Sequence, residues 1–428
     1  MRDVPARVHH PRDGDEPVIA QAAICDRKSD DGKQKLPDTE PTPTEIGAAR
    51  AGHDHRVDGA TSRLRDHGHD EHEDQRANDG TDVVHDKKRR GVHNRIPLKA
   101  NPTSHHQPGG GYRNPWPNSG PAGFRELLRW RFVERRSHRL APNPPRDSLP
   151  TIEPIIVSPR AEQGYRSVTW VGHATMLLQL GPLNVLTDPV WGERASPLRW
   201  LGPRRLMKPA VDFNALPPLD LVLLSHNHYD HLDAPTVRRI ARHFPETPWL
   251  CPLGLRTVLQ RLGVRNVTEL DWWRRVETPA FAATCAPAQH FSARGLGDRN
   301  QTLWCSWAIE ADGVRIFFAG DTALHPEFAD IGNRLGPFDL VMLPIGAYEP
   351  RWFMRSVHMN PEDAVAAYRA LVDGGPVAPP CVTMHWGTFR LTDEPVEEPP
   401  ARFARRWHEA NLAVHANWTL SHGETRRL

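Results

Sequence analysis

The run Ser225-His226-Asn227-His228-Tyr229-Asp230-His231 places four metal-ligating side chains within six residues, directly after an apolar stretch over residues 219–225. In an extended chain side chains alternate with period two, so His226 and His228 point the same way. Asp230 and His231 fall where the chain turns toward a helix and aim at a neighbouring point. Two such points suit two metal ions rather than one, and ions about 3.5–4 Å apart need further ligands from elsewhere. Three polar residues stand where other apolar stretches stop: His290 after residues 281–289, Asp321 after residues 315–320, and His385 after residues 381–384. One histidine at a strand end is more often a hydrogen-bonded core residue; the combined set points to a metal centre.

The elements that must position these residues are strands alternating with helices from Ser167 onward. Residues 168–180 and 184–187 read as paired strands around Gly181-Pro182, and residues 219–225 as a buried strand. Further strands are expected at 249–252, 281–287, 303–310, 314–319, 340–344 and 381–385. The clearest helix start is Asn360-Pro361-Glu362-Asp363, where an N-cap Asn, a Pro at the first position and acids in the first turn precede residues 364–372. About ten strands with outer helices predict two packed sheets covered on both faces, a four-layer αββα sandwich of the α/β (α+β) class.

Composition divides the 428-residue chain. All 14 Trp, 13 Phe and 5 Tyr lie beyond Gly111, and residues 1–103 are crowded with Asp, Arg, His, Gly and Pro without periodicity. Such a stretch builds no core, and it reads as a disordered tail or as translated sequence upstream of the true start, with a histidine-rich metal scavenger as the functional alternative. Residues 104–150 read as an N-terminal extension with a short basic helix at 123–139. Its Phe124, Leu127, Leu128 and Phe132 are set at helical spacing for packing on the main domain or for lying on lipid headgroups. Residues 151–428 are the expected catalytic domain.

A formal net charge of +2 gives no strong bias toward nucleic acid or an anionic membrane. The cysteines Cys25, Cys251, Cys285, Cys305 and Cys381 are odd in number and never in a Cys-x-x-Cys pair, which suggests neither a disulfide framework nor a zinc ribbon. With no apolar run of about 20 residues and no signal-peptide core, a cytoplasmic protein is expected, with peripheral contact at the inner membrane face in reach of its basic helix.

The motifs Trp170-Val171-Gly172-His173-Ala174-Thr175, Thr187-Asp188-Pro189, Gly320-Asp321-Thr322, Tyr348-Glu349-Pro350-Arg351-Trp352-Phe353-Met354 and His385-Trp386-Gly387-Thr388-Phe389 join the histidine cluster. Together they resemble the metallo-β-lactamase superfamily and, within it, the N-acylphosphatidylethanolamine-hydrolysing phospholipase D family, over roughly residues 104–400. The resemblance implies two Zn2+ per chain: His226, His228 and His290 on one ion, Asp230, His231 and His385 on the other, and Asp321 bridging. A hydroxide shared by the ions is then the nucleophile, because zinc lowers the pKa of bound water to about 7. Asp188 is expected to orient a ligand histidine. Asp230 and His358 are expected to act in catalysis, His358 by stabilising phosphate or protonating the leaving alkoxide beside a helix N-terminus. Tyr348, Trp352, Phe353 and Met354 are expected to line an acyl-chain groove.

The implied activity is cleavage of a phospholipid headgroup. A β-lactamase is disfavoured by the bridging aspartate, a lactonase of the same fold is the nearer rival, and a lipid-binding protein with a vestigial site is the non-enzyme alternative. The oligomeric state is left open, with a homodimer among the options.

Overall fold

The computed structural model describes residues 105–135, 140–295, 297–375 and 377–428. The expected tail at 1–103 lies outside the described residues, as does the end of the expected basic helix.

Two mixed sheets of seven strands form the centre of the fold. The first contains β1 (Arg166–Gly172), β2 (Thr175–Leu180), β3 (Leu183–Thr187), β4 (Leu221–Leu223), β5 (Trp249–Pro252), β6 (Val267–Leu270) and β14 (Thr425–Arg427), in the order β14-β1-β2-β3-β4-β5-β6. The second contains β7 (Arg275–Glu277), β8 (Phe281–Ala286), β9 (Ser306–Ala311), β10 (Val314–Phe318), β11 (Leu340–Pro344), β12 (Cys381–Met384) and β13 (Asn417–Trp418), in the order β13-β12-β11-β10-β9-β8-β7. Parallel pairing runs β3 to β4 to β5 and β10 to β11 to β12, and Asp188, His226, Asp321 and His385 follow strands of these sets; His290 follows β8, which pairs antiparallel with β7 and β9.

Period-two burial explains the layers. Met176, Leu178, Leu180, Leu221, Leu223 and Leu250 join a core shared with Cys285, Trp307, Ile309, Ile316 and Phe318 of the second sheet. Their neighbours Leu177, Val222, Leu224, Trp249 and Cys251 face outward onto Val237 and Ile240 of a helix at Ala234–His243 and Leu259 of a helix at Arg256–Arg261. Helices Phe328–Leu335, Pro361–Val372 and Glu398–Glu409 supply Phe328, Ile331, Tyr368, Phe403 and Trp407 to the opposite side of the second sheet. Full burial of each such side chain is worth about 1.5–3 kcal/mol, so both faces of each sheet are stabilised independently of the polar cluster. The αββα sandwich expected from the sequence is the observed architecture.

Three local readings change. Residues 168–180 are a hairpin rather than one strand, because Gly172, at φ 139°, and His173, at φ 55°, turn the chain between β1 and β2. The basic helix is α-helical over Phe124–Leu128 and then widens to a π-helix over Arg129–Glu134. That change rotates the register: Trp130 is the buried residue, while Leu127 (39%), Leu128 (39%), Phe132 (54%) and Val133 (63%) are exposed. The helix at Pro361–Val372 starts as expected, but Asn360 and Asp363 cap it reciprocally in a capping box. Its own side chains therefore occupy part of the N-terminus expected to attract an anion.

Candidate metal centre

The segment after β4 folds back at Tyr229 to Leu232, where His231 N–H and Leu232 N–H both donate to His228 O. Arg294 braces that turn, donating from one nitrogen to Asn227 O (2.6 Å) and Leu232 O (2.8 Å) while stacking on Tyr229. Asp321 arrives through Gly320 at φ 58°. A Cβ there would lie 2.6 Å from Ser225 Cβ, so only glycine lets this loop close against the end of the histidine strand. Similarly, a Cβ on Gly346 would lie 2.1 Å from His385 O. His173, Asp188 and His385 all hold left-handed backbone, at φ 55°, 31° and 63°. Non-glycine residues there carry strain that the surrounding packing must hold.

Seven of the residues singled out in the sequence come together in two adjoining pockets. In the first, His226 Nε2 lies 2.8 Å and His290 Nε2 3.1 Å from His228 Nδ1. In the second, Asp230 Oδ2 lies 3.6 Å from His231 Nε2 and 3.4 Å from His385 Nε2. Asp321 Oδ2 stands between them, 3.1 Å from both His231 and His385 Nε2 and 3.8 Å from both His226 and His290 Nε2.

This donor set fits metal ions. Burial, with repulsion from neighbouring imidazoles, holds His226 well below the ordinary histidine pKa and pushes His228 down to about 3. Burial also pushes His290 down to about 4. Three unprotonated rings then converge with more lone pairs than protons between them, as a cation requires. In the second pocket burial also disfavours charge, but the carboxylates of Asp321, Asp230 and Asp188 outweigh it and hold His231 well above its usual range. Among the described residues, His231 Nε2 and His385 Nε2 have no hydrogen bond of good geometry, although both lie near Asp321. The ligand atoms of Asp230, His231 and His385 lie within 4.8 Å of one another.

A surrounding layer of hydrogen bonds fixes the rings. Asp188 accepts from His231 Nδ1 at 2.7 Å, and His290 Nδ1 donates to Val357 O at 2.8 Å. His173, for which its sequence motif implies no role, lies with Nε2 2.9 Å from Asp230 Oδ2. Burial lowers its pKa to about 3, so the ring is neutral and donates through Nε2–H. The signal for it was the glycine before it, which permits the tight turn that aims the ring inward.

His358 is buried, with Nδ1 unpartnered and its ring centroid 5.0 Å from His290 and 5.4 Å from His385. Met354 joins Trp130 and Val357 in a small apolar cluster with Phe291 and Phe353, and Phe291 lies 4.5 Å from the His228 ring. Trp352 is 45% exposed and donates to Glu134. Tyr348 is not brought to this cluster: it is fully buried, and its hydroxyl donates to Glu398 at 2.9 Å.

Paired His/Asp pockets at the strand ends of an αββα sandwich form a candidate metal centre. Residues 183–386 match the family described as a β-lactamase superfamily domain. An uncharacterized protein of Mycobacterium tuberculosis is 42% identical over 278 residues, 64% of this chain and 72% of its own length. The chain belongs to the metallo-β-lactamase superfamily. It is also 43% identical over 233 residues to the N-acyl-phosphatidylethanolamine-hydrolyzing phospholipase D 1 of Caenorhabditis elegans, across 52% of this chain and 64% of that enzyme. A possible metal-dependent hydrolase from Veillonella parvula shares the fold, with a TM-score of 0.50 and 15% identity over 62% of this chain and 100% of its own. Among the described residues, no helix is long and apolar enough to cross a membrane.

Proposed function

We propose that this chain is a zinc-dependent phosphodiesterase of phospholipase D type, binding two Zn2+ and cleaving N-acylphosphatidylethanolamine-like lipids on the headgroup side of phosphorus. The observation that carries this reading is Asp321 Oδ2, which lies 3.1 Å from two ring nitrogens of the second pocket and 3.8 Å from two of the first. A single carboxylate oxygen shared between two donor sets suits a binuclear centre that spans the attacking and departing oxygens of a phosphodiester. The similarity to the worm phospholipase D supports the lipid class.

In this reading His226, His228 and His290 hold one ion, Asp230, His231 and His385 the other, and Asp321 both. Bound there, the ions would supply charge stabilisation at phosphorus and a water acidified to a pKa of about 7. The remaining work belongs to the chain's own groups. His173 and Asp188 fix Asp230 and His231 in place. Burial holds His358 well below its usual pKa, so it meets a phosphoryl oxygen as a neutral hydrogen-bond donor. Phe291, Phe353, Met354 and Trp130 exclude water beside His228 and offer an acyl chain an apolar wall. The exposed Leu127, Leu128, Phe132 and Val133, interspersed with Arg125, Arg129 and Arg131, suit peripheral contact with a lipid surface.

The test is incubation of zinc-loaded protein with N-acylphosphatidylethanolamine in mixed micelles, with products read by mass spectrometry. Water should cleave the P–O bond to the headgroup and release N-acylethanolamine and phosphatidic acid, and Asp230→Ala should abolish that release. Untouched phospholipid alongside rapid lactone opening would overturn the reading.

A further inference from the structure

The geometry points to Asn114, in the N-terminal extension, as a positioning residue for the first metal pocket; this rests on reading His290 as a ligand there. Asn114 uses its whole amide. Nδ2 donates to His290 O (2.9 Å) and Ser119 O (2.7 Å), and Oδ1 accepts from His290 N–H (3.2 Å) and from Trp304 Nε1–H (3.2 Å). Two carbonyls on one side and two N–H groups on the other fix which end of the amide is which. His290 lies beyond the end of β8, with no ladder partner among the described residues. The Asn114 side chain takes the place of that partner, gripping both backbone groups of one residue as a neighbouring strand would.

The ring of His290 is thereby held at two points. Asn114 sets the backbone from which it projects, and Val357 O takes Nδ1 at 2.8 Å, which leaves Nε2 directed at His228. Asn114 is itself immobilised, because its segment is pinned on either side. His105 and His106 place their Nε2 atoms 2.6 and 2.8 Å from the two oxygens of Asp271. Trp116 stacks between Trp272 and His325, at centroid distances of 5.8 and 4.6 Å. Tyr112 N–H donates to Asn300 O. The extension is therefore part of the site: it completes the coordination geometry of a ligand supplied by the sandwich.

Asn114→Asp keeps the shape and volume but loses both donors, placing a carboxylate oxygen against His290 O. The experiment titrates the zinc-loaded full chain with a chromophoric chelator, for wild type, Asn114→Asp and His385→Ala, and records visible spectra of the cobalt-substituted proteins. His385→Ala identifies the equivalent held by the second pocket and checks the metal reading by itself. Asn114→Asp should weaken the other equivalent by about 10- to 100-fold and alter its cobalt spectrum, as loss of a ligand-orienting partner does. The second equivalent and the far-UV circular dichroism should stay at wild-type values, a selectivity that general destabilisation would not produce. If Asn114→Asp does not fold, Asn114→Ala, which removes the four amide contacts without adding a charge, should weaken the same equivalent. Unchanged affinity and spectrum in the variant that folds, while His385→Ala loses its ion, overturn the proposal and leave the metal reading standing.

Discussion

Asp188 Oδ2 lies 2.7 Å from His231 Nδ1 and 2.6 Å from the hydroxyl of Ser225, which in turn lies 2.9 Å from His226 Nδ1. One buried carboxylate thus orients a histidine of each pocket, one directly and one through a serine. Its other oxygen accepts the Ser225 N–H at 2.7 Å, tying the group to the end of β4. Asp188→Asn retains the shape but offers His231 a weaker, uncharged acceptor at best. Metal affinity is expected to fall about 10- to 100-fold with the fold intact. Chelator titration at neutral pH measures it, and an unchanged affinity would remove Asp188 from this role.

Asp321→Asn tests the shared position. Burial disfavours the Asp321 carboxylate, but His231 and His385 outweigh it and hold its pKa well below the usual range, so the group is ionised throughout the working pH range. The amide removes that charge and leaves the surrounding rings in place. Zinc content should drop below two equivalents and turnover of a generic phosphodiester should be lost, while the circular dichroism spectrum persists. Wild-type turnover in this variant contradicts a bridging role.

The residues that gather at the strand ends are more legible than those that support them. Histidines and acids at strand ends are written locally: His226 and His228 by alternation, His290, Asp321 and His385 by where apolar runs stop. Buried strands such as Trp249–Pro252 and Leu340–Pro344 have the boundaries expected of them. The strands Arg275–Glu277 and Thr425–Arg427 were not legible, because they are short, partly exposed edges with no apolar pattern to read. Proximity in sequence suggests that Tyr348 faces the same groove as Trp352, Phe353 and Met354, and the fold does not bring it there. In the fold, the Tyr348 hydroxyl donates to Glu398, Phe353 and Met354 pack with Trp130, and Trp352 donates to Glu134. His173 and Asn114 act through contacts 57 and 176 residues away, which no local pattern encodes.

The exposed apolar residues of the widened helix carry a prediction about substrate form. Phe132 is 54% and Val133 63% exposed, while neighbouring Trp130 anchors the helix beside Phe353. If this surface meets lipid, Phe132→Asp with Val133→Asp should reduce turnover of a micellar phospholipid on the order of tenfold or more, given the apolar area that would no longer be buried. Turnover of a water-soluble phosphodiester should change much less. Equal losses on both substrates would assign these residues to the fold instead.

His325 predicts how stability responds to acid. Its ring is stacked between Trp116 (4.6 Å) and Phe328 (4.2 Å), both ring nitrogens lack a hydrogen-bond partner among the described residues, and burial pushes its pKa down to about 3. Between the ordinary value near 6.5 and that depressed value, the unfolded chain binds a proton that the folded protein does not. The stability is therefore intact above about pH 6.5 and falls as pH drops below it, by at most about 1.4 kcal/mol per pH unit for this residue. His325→Phe keeps a ring in the stack and removes the titration. At pH 7 the variant should be as stable as wild type or more so, because unpartnered buried nitrogens cost about 1–3 kcal/mol. Between pH 7 and pH 5 it should lose about 2 kcal/mol less than wild type. His422, also pushed down to about 3 by burial, keeps its own acid dependence in both proteins. Urea unfolding at the two pH values, with chelator present so that metal release does not contribute, gives the comparison. Parallel losses in the two proteins would show that His325 exchanges no proton on unfolding.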